Sequence, residues 1–128
     1  MSPRKSVTKT LLAALTIAVA AVSGGAALAH HGWAWTTGGN IELTGLIKSV
    51  RLGNPHGLLE VDVEGETWTV EVGQPWRNSR SGLKDGDLAE GVEIRAIGEP
   101  AADRAEKRLK AERLFLGTRE YKLYPERD

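Results

Sequence analysis

The imidazole supply of this chain is three residues, His30, His31 and His56. There is no cysteine, and the one methionine is Met1. Thiolate metal sites, disulfide frameworks and cysteine nucleophiles are therefore excluded, and soft ligation of Cu(I) is excluded in any chain lacking residue 1. The placement of the histidines is what draws attention. His30 and His31 stand where a secretory leader should end, and His56 sits in a turn, residues 52–57, between two strand-like runs. A histidine at a free amino terminus offers an amine and an imidazole that chelate one ion in a small ring. A second imidazole brought in by the fold completes a three-nitrogen set, a histidine brace. Such nitrogens suit Cu(II), and also Zn(II) or Ni(II), with Cu(II) leading the affinity order. The expected metal ligands are His30, His31 and His56, with His31 able to contribute its backbone amide instead of its ring. Pro55 and the flanking Gly53 and Gly57 would fix the approach of His56.

Other residues offer a different chemistry. Trp33, Trp35 and Trp76, together with Arg77 and Arg80 three residues apart, are candidates for binding a protein or a small anionic ligand. The plainer expectation is that Trp33 and Trp35 pack an amino-terminal arm onto the domain, that Trp76 plugs an end of it, and that the arginines are solvated. No catalytic set is complete. Gly-x-Ser-x-Gly and His-Glu-x-x-His are absent, and Ser49, Ser79 and Ser81 have no evident base. The chain reads more readily as a binding protein than as an enzyme, with redox chemistry at a bound copper left open.

These residues need elements to position them. Residues 1–29 read as a signal-peptide helix that is removed: Arg4, Lys5 and Lys9 precede the apolar run of residues 11–22, and Ala27, Leu28 and Ala29 form a small-x-small cleavage site. The apolar run is shorter than the roughly 20 residues of a bilayer span, so no stable membrane anchor is expected after processing. Cleavage after Ala29 leaves 99 of the 128 residues, beginning at His30. Cleavage after Ala27 instead puts His30 third, which makes an amine, amide and imidazole copper site. The leader takes three of the 17 basic residues and none of the 17 acidic ones, so the remainder carries a formal charge of −3. A mildly acidic exported domain, periplasmic or secreted, is not a nucleic-acid binder of the electrostatic kind.

Residues 30–40 read as an extended arm and residues 41–128 as one β domain. Apolar residues fall on odd positions at Ile41 and Leu43, then on even ones at Leu46, Val50 and Leu52; the slip at Gly45 predicts a bulge or bend. Leu59, Val61 and Val63 alternate with acids, and Trp68, Val70 and Val72 resume after Gly65, which predicts a hairpin with a solvated acidic face. Pro75 near the start and Gly82 just past the end predict a helix over Pro75–Ser81. Val92, Ile94 and Ala96 mark a fourth strand, residues 109–116 a fifth, and Tyr121, Leu123 and Tyr124 a closing segment. Basic residues from Arg104 to Lys122 balance the acidic hairpin and favour pairing with it. The order predicts an all-β, five-stranded OB-like Greek-key barrel with one short helix.

His30 and His31, the strand leading into Asn54, Pro55 and His56, Trp68 to Glu71, Gln74 to Trp76 and the turn at Leu83 to Asp87 together resemble a family of small exported bacterial proteins. That family is a domain of unknown function with an OB-like barrel. The resemblance implies fold and compartment; it implies no activity, substrate or ligand. The functional expectation is thus a periplasmic Cu(II)-handling protein, with a metal ion and an envelope protein as partners. The alternative is a non-metal envelope module that recognises a protein or small anion through its barrel face.

Overall fold

The structure is a computed structural model that describes residues 32–127. Residues 1–29, the expected signal peptide, and both His30 and His31 lie outside the described residues. Six strands follow in order: β1 (Ile41–Arg51), β2 (Leu58–Val63), β3 (Glu66–Glu71), β4 (Glu93–Pro100), β5 (Arg108–Leu116) and β6 (Arg119–Lys122). The helix α1 (Pro75–Ser81) lies between β3 and β4, and a 3-10 turn (Pro125–Arg127) ends the described chain. Strand β1 pairs antiparallel with β2, placing Ile47 opposite Val61, and with β4, placing Leu43 opposite Ala96. Strands β2 and β3 form the hairpin, and β4 pairs with β5. A parallel pairing of β3 with β5, Val70 opposite Leu109, closes the barrel. The closed circuit β1, β2, β3, β5, β4 with a helix between β3 and β4 is the OB-type arrangement.

Period-two alternation explains which side chains fill it. Ile47, Leu59, Val61, Val70, Ile94, Ala96, Leu109, Ala111 and Leu114 point inward and are buried, and Val72, Tyr121 and Leu123 extend the core at its ends. Helix α1 has the expected bounds: Pro75 opens it and Gly82, at φ 104°, closes it in the left-handed region.

Four details differ from the sequence expectation. The closing segment is a sixth strand, β6, turned back onto β5 through Gly117. The register shift of β1 falls between Ile47 and Ser49 and not at Gly45; Gly45 is instead where the backbone of β1 passes against the Asp62 carbonyl, leaving no space for a side chain. The arm is bent, not extended: Thr36 N–H donates to the Trp33 carbonyl at 3.1 Å, closing a turn. Trp76 does not plug the barrel. It is 53% exposed and lies against Arg77. Among the described residues no helix is long and apolar enough to cross a membrane.

Candidate functional site

The outward-facing side chains of β3, β4 and β5 should be solvated, yet several of them are buried. Glu71 on β3 is fully buried, and Glu99 on β4 and Lys110 and Glu112 on β5 are nearly so. Register explains the row. Glu71 lies opposite Lys110 in the parallel pair and Lys110 opposite Glu99 in the antiparallel one. The bent arm and the final 3-10 turn cover these groups.

The arm is fixed at several points. Thr36 bridges to Ala101, Thr37 N–H donates to the Pro100 carbonyl at 3.1 Å, and Ala102 N–H donates to the Trp35 carbonyl at 2.9 Å. Thr36 Oγ1 donates to the Glu99 carboxylate. Trp35 carries the Arg108 guanidinium on its face, 4.2 Å from the centroid. Trp33 meets Tyr124 edge-on at 5.0 Å and carries Arg127 at 3.8 Å. Arg127 in turn donates to Glu112 from Nε at 3.1 Å and to Glu99 from Nη2 at 3.0 Å. Its pKa is raised: burial opposes its charge, but the hydrogen bonds to Glu112 and Glu99 outweigh that. Both tryptophans thus pack the arm onto the barrel, as expected, through cation contacts that the sequence does not display.

His56 comes to this layer from the β1/β2 turn. Gly57 ties the turn down, its N–H donating to the Gly73 carbonyl at 3.1 Å and its own carbonyl accepting from Val72 N–H at 2.9 Å. A Cβ at Gly57 would lie 2.7 Å from Val72 Cγ2 and 2.8 Å from Leu52 Cδ2, so any larger residue would have to displace these side chains. Asn78 of α1 braces the same junction, exchanging two 2.9 Å hydrogen bonds with the Gly73 backbone. Held this way, His56 Nε2 faces Glu71 Oε1 at 3.5 Å. Glu71 also accepts from Lys110 Nζ at 2.8 Å and from Arg108 Nη2 at 2.9 Å. Lys110 Nζ donates further to the Gly32 carbonyl at 3.3 Å. Burial lowers the His56 pKa below its ordinary value, and Lys110 and Arg108 push the same way; Glu71 and a backbone hydrogen bond at Gly57 oppose them. The lowered pKa favours the neutral imidazole, the form that ligates metals.

A family model described as a family of unknown function, DUF6152, matches residues 17–110. The chain belongs to the DUF6152 family. The span matched in this DUF6152 chain contains His30, His31, His56 and Glu71 and ends on Lys110, whereas Glu112 and Arg127 lie beyond it. No curated protein matches the sequence. Among solved structures, the Stn1–Ten1 complex of S. pombe aligns with 59% of this chain and 56% of its own, at 18% identity and a TM-score of 0.48. The ZRD-deleted mutant of TiaS in complex with agmatine aligns with 60% of this chain at 14% identity and a TM-score of 0.46. The chain spans 21% of that TiaS chain and 18% of apo TiaS, a tRNAIle2 agmatidine synthetase. At these values the likeness adds nothing to the strand order and the β3/β5 pairing, which define the barrel by themselves.

Of the residues expected to form a site in this DUF6152 protein, the described structure brings His56 and the arm tryptophans to one layer. Arg77 and Arg80 line a separate cleft beside Trp76. Among the described residues no three His, Cys, Asp or Glu side chains are arranged to hold a metal ion. Sequence reasoning missed Glu71, Lys110, Glu99, Glu112 and Arg127. Glu71 alternates with Val70 and Val72 as a solvated acid would. The available signal was the opposite charge of the hairpin and the last strands, which becomes a specific pair only once the β3/β5 register is known.

Proposed function

We propose that this protein is an exported Cu(II)-binding protein whose site joins a processed amino terminus at His30, with His31, to His56. One observation carries this reading. A single buried ammonium, Lys110 Nζ, holds both the carbonyl of Gly32, the residue after His31, and the carboxylate that faces His56. Two residues of chain span at most about 7 Å, a length on the scale of the contacts that link Gly32 to His56 through Lys110 and Glu71. The donor set fits copper better than a hard cation. It consists of an amine and neutral imidazoles, which select Cu(II) over Mg(II) or Ca(II). The charge around it is Glu71 against Lys110 and Arg108, so affinity has to come from nitrogen donation and not from carboxylate attraction. Bound copper would supply a Lewis-acidic, redox-active centre. The chain's own residues orient His56 and anchor the arm.

The test uses protein recovered from its native compartment. Mass spectrometry defines its first residue, and Cu(II) titration measures stoichiometry. The expected result is a terminus at His30 and one tight equivalent. Adding one residue before His30 should weaken binding sharply, and His56→Ala should weaken it independently. A terminus far from His30, or binding no tighter than that of a free peptide, overturns the proposal.

A further inference from the structure

The arm covers the outward face of the barrel over β4 and β5, but over β1 and β2 the same face is open, with Ser49, Arg51 and Glu60 exposed. Two adjoining hollows of about 390 and 480 Å³ lie there, one over β1 and β2 and one along residues 51–58, and both have Arg51 and Leu58 in their walls. We infer that this groove binds a free α-amino acid with an aliphatic side chain. Arg51 takes its carboxylate, Glu60 its ammonium, and Leu58, Leu52 and Pro55 its side chain. Nothing in this assignment requires a metal at His56, which lines only the second hollow.

Register decides how the two charges stand. Ser49 lies opposite Glu60 and Arg51 opposite Leu58, so Arg51 and Glu60 are diagonal neighbours on one face, about 7–8 Å apart. Two other arginine and glutamate pairs of the sheet are also diagonal, and both have closed: Arg95 with Glu42 at 3.3 Å, and Arg113 with Glu120 at 3.4 Å. Those two lie on the diagonal that the right-handed twist of paired strands draws together. Arg51 and Glu60 lie on the opposite diagonal, which the same twist opens. Among the described residues neither makes an ion pair or a side-chain hydrogen bond, and neither do the hydroxyls of Ser49 and of Thr69, which is opposite Glu60 on β3.

A single exposed charge is satisfied by water. Here two opposite charges stand open in one groove, kept apart by the strands that carry them. Beside them is an apolar wall, where Leu52 is 49% exposed next to Pro55. A carboxylate alone would meet Arg51 but face Glu60, and an amine alone would meet Glu60 but face Arg51. A zwitterion satisfies both. The guanidinium fork accepts a carboxylate through two parallel hydrogen bonds, the Glu60 carboxylate accepts from an ammonium, and the two hydroxyls can donate or accept as the remaining groups require. Hollows of this size suit a small molecule with an apolar part.

Leucine is the probe. It is titrated into purified, metal-free protein at constant ionic strength while backbone amide and arginine side-chain NMR shifts are followed. Isocaproate, which lacks the ammonium, and isoamylamine, which lacks the carboxylate, are titrated in parallel. Saturable shifts at Arg51, Leu58, Glu60 and Thr69 are expected with leucine, and either analogue should bind more weakly by about tenfold or more, the loss of one charged hydrogen-bonding partner. Arg51→Gln and Glu60→Gln, both at exposed positions, should each weaken leucine binding by a similar factor and leave the urea midpoint unchanged. Leucine shifts that do not saturate overturn the inference. So does an analogue that binds as tightly as leucine, or an unchanged leucine affinity in either variant. Because every titration is run without metal, failure here leaves the copper reading standing, and failure of copper binding leaves this groove standing.

Discussion

Glu71 is the residue on which the buried layer turns. Its carboxylate is the common partner of His56, Arg108 and Lys110, and it is inaccessible to water. Removing the charge of one partner in a buried pair leaves the other desolvated and unpaired, which costs about 3–5 kcal/mol. Glu71→Gln is expected to destabilise the protein by that amount in urea unfolding. Combining it with Lys110→Met should lose less than the two single changes together, because the double variant no longer buries the Lys110 ammonium without its carboxylate. His56 adds a pH dependence whose sign follows from its lowered pKa. Below an unfolded value of about 6.5 the unfolded chain takes up a proton that the folded chain refuses. Stability should therefore fall as pH drops from about 6.5 through the folded pKa and then level off. Denaturant midpoints between pH 5 and 7.5 should show this slope, and His56→Gln should remove it while leaving stability at pH 7.5 nearly unchanged.

At the scale of elements, β4 and β5 carry the most exacting contact. Gly98 sits at the register shift of this pair, and a Cβ there would run into the Lys110 carbonyl and the Ala111 Cα. Both obstacles are backbone, so neither can rotate away. Gly98→Ala should cost about 3 kcal/mol or more. It should also displace Lys110, so that the Gly32 contact weakens before the barrel fails. Faster amide exchange at residues 37 and 102, whose hydrogen bonds tie the arm to the barrel, would report that loosening. Changes confined to β4 and β5 would show that the arm is anchored by Trp33 and Trp35 without Lys110. The arm itself is held by rings against cations and by a bridge at Thr36, not by a strand pairing. That is why an alternating reading of Trp33 and Trp35 finds their partners only in part: the turn at Thr36 sends one ring toward Arg127 and the other toward Arg108.

For the molecule as a whole, closure of β3 on β5 leaves β6, among the described strands, as a free edge beyond the barrel. That strand is four residues long and carries Arg119 and Lys122, features that discourage edge-to-edge association. A ligand that binds only the folded state raises its stability by about 2.7 kcal/mol at one hundred times its dissociation constant. If His30, His31 and His56 hold copper, Cu(II) should therefore raise the unfolding midpoint of the processed protein. It should do so much less in the form extended by one residue at the amino terminus.

The barrel was legible in the chain because its information is local. Alternation marks β2 and β3, Gly65 marks their turn, and Pro75 and Gly82 bound a helix whose limits the structure reproduces. The order of those elements already implied an OB-like closure, and family membership was readable from the turns and the paired histidines. What tertiary structure alone decided is which polar side chains are buried. Glu71, Glu99, Lys110 and Glu112 sit on outward positions of their strands, where pattern assigns them to water. They are dry because an arm folded from residues 32–37 and a turn at residues 125–127 come to rest on them. Burial by a distant segment has no signature at the buried residue itself. The same is true of the path from Gly32 through Lys110 and Glu71 to His56. It requires a parallel pairing between strands about forty residues apart, and only the closed barrel supplies that register.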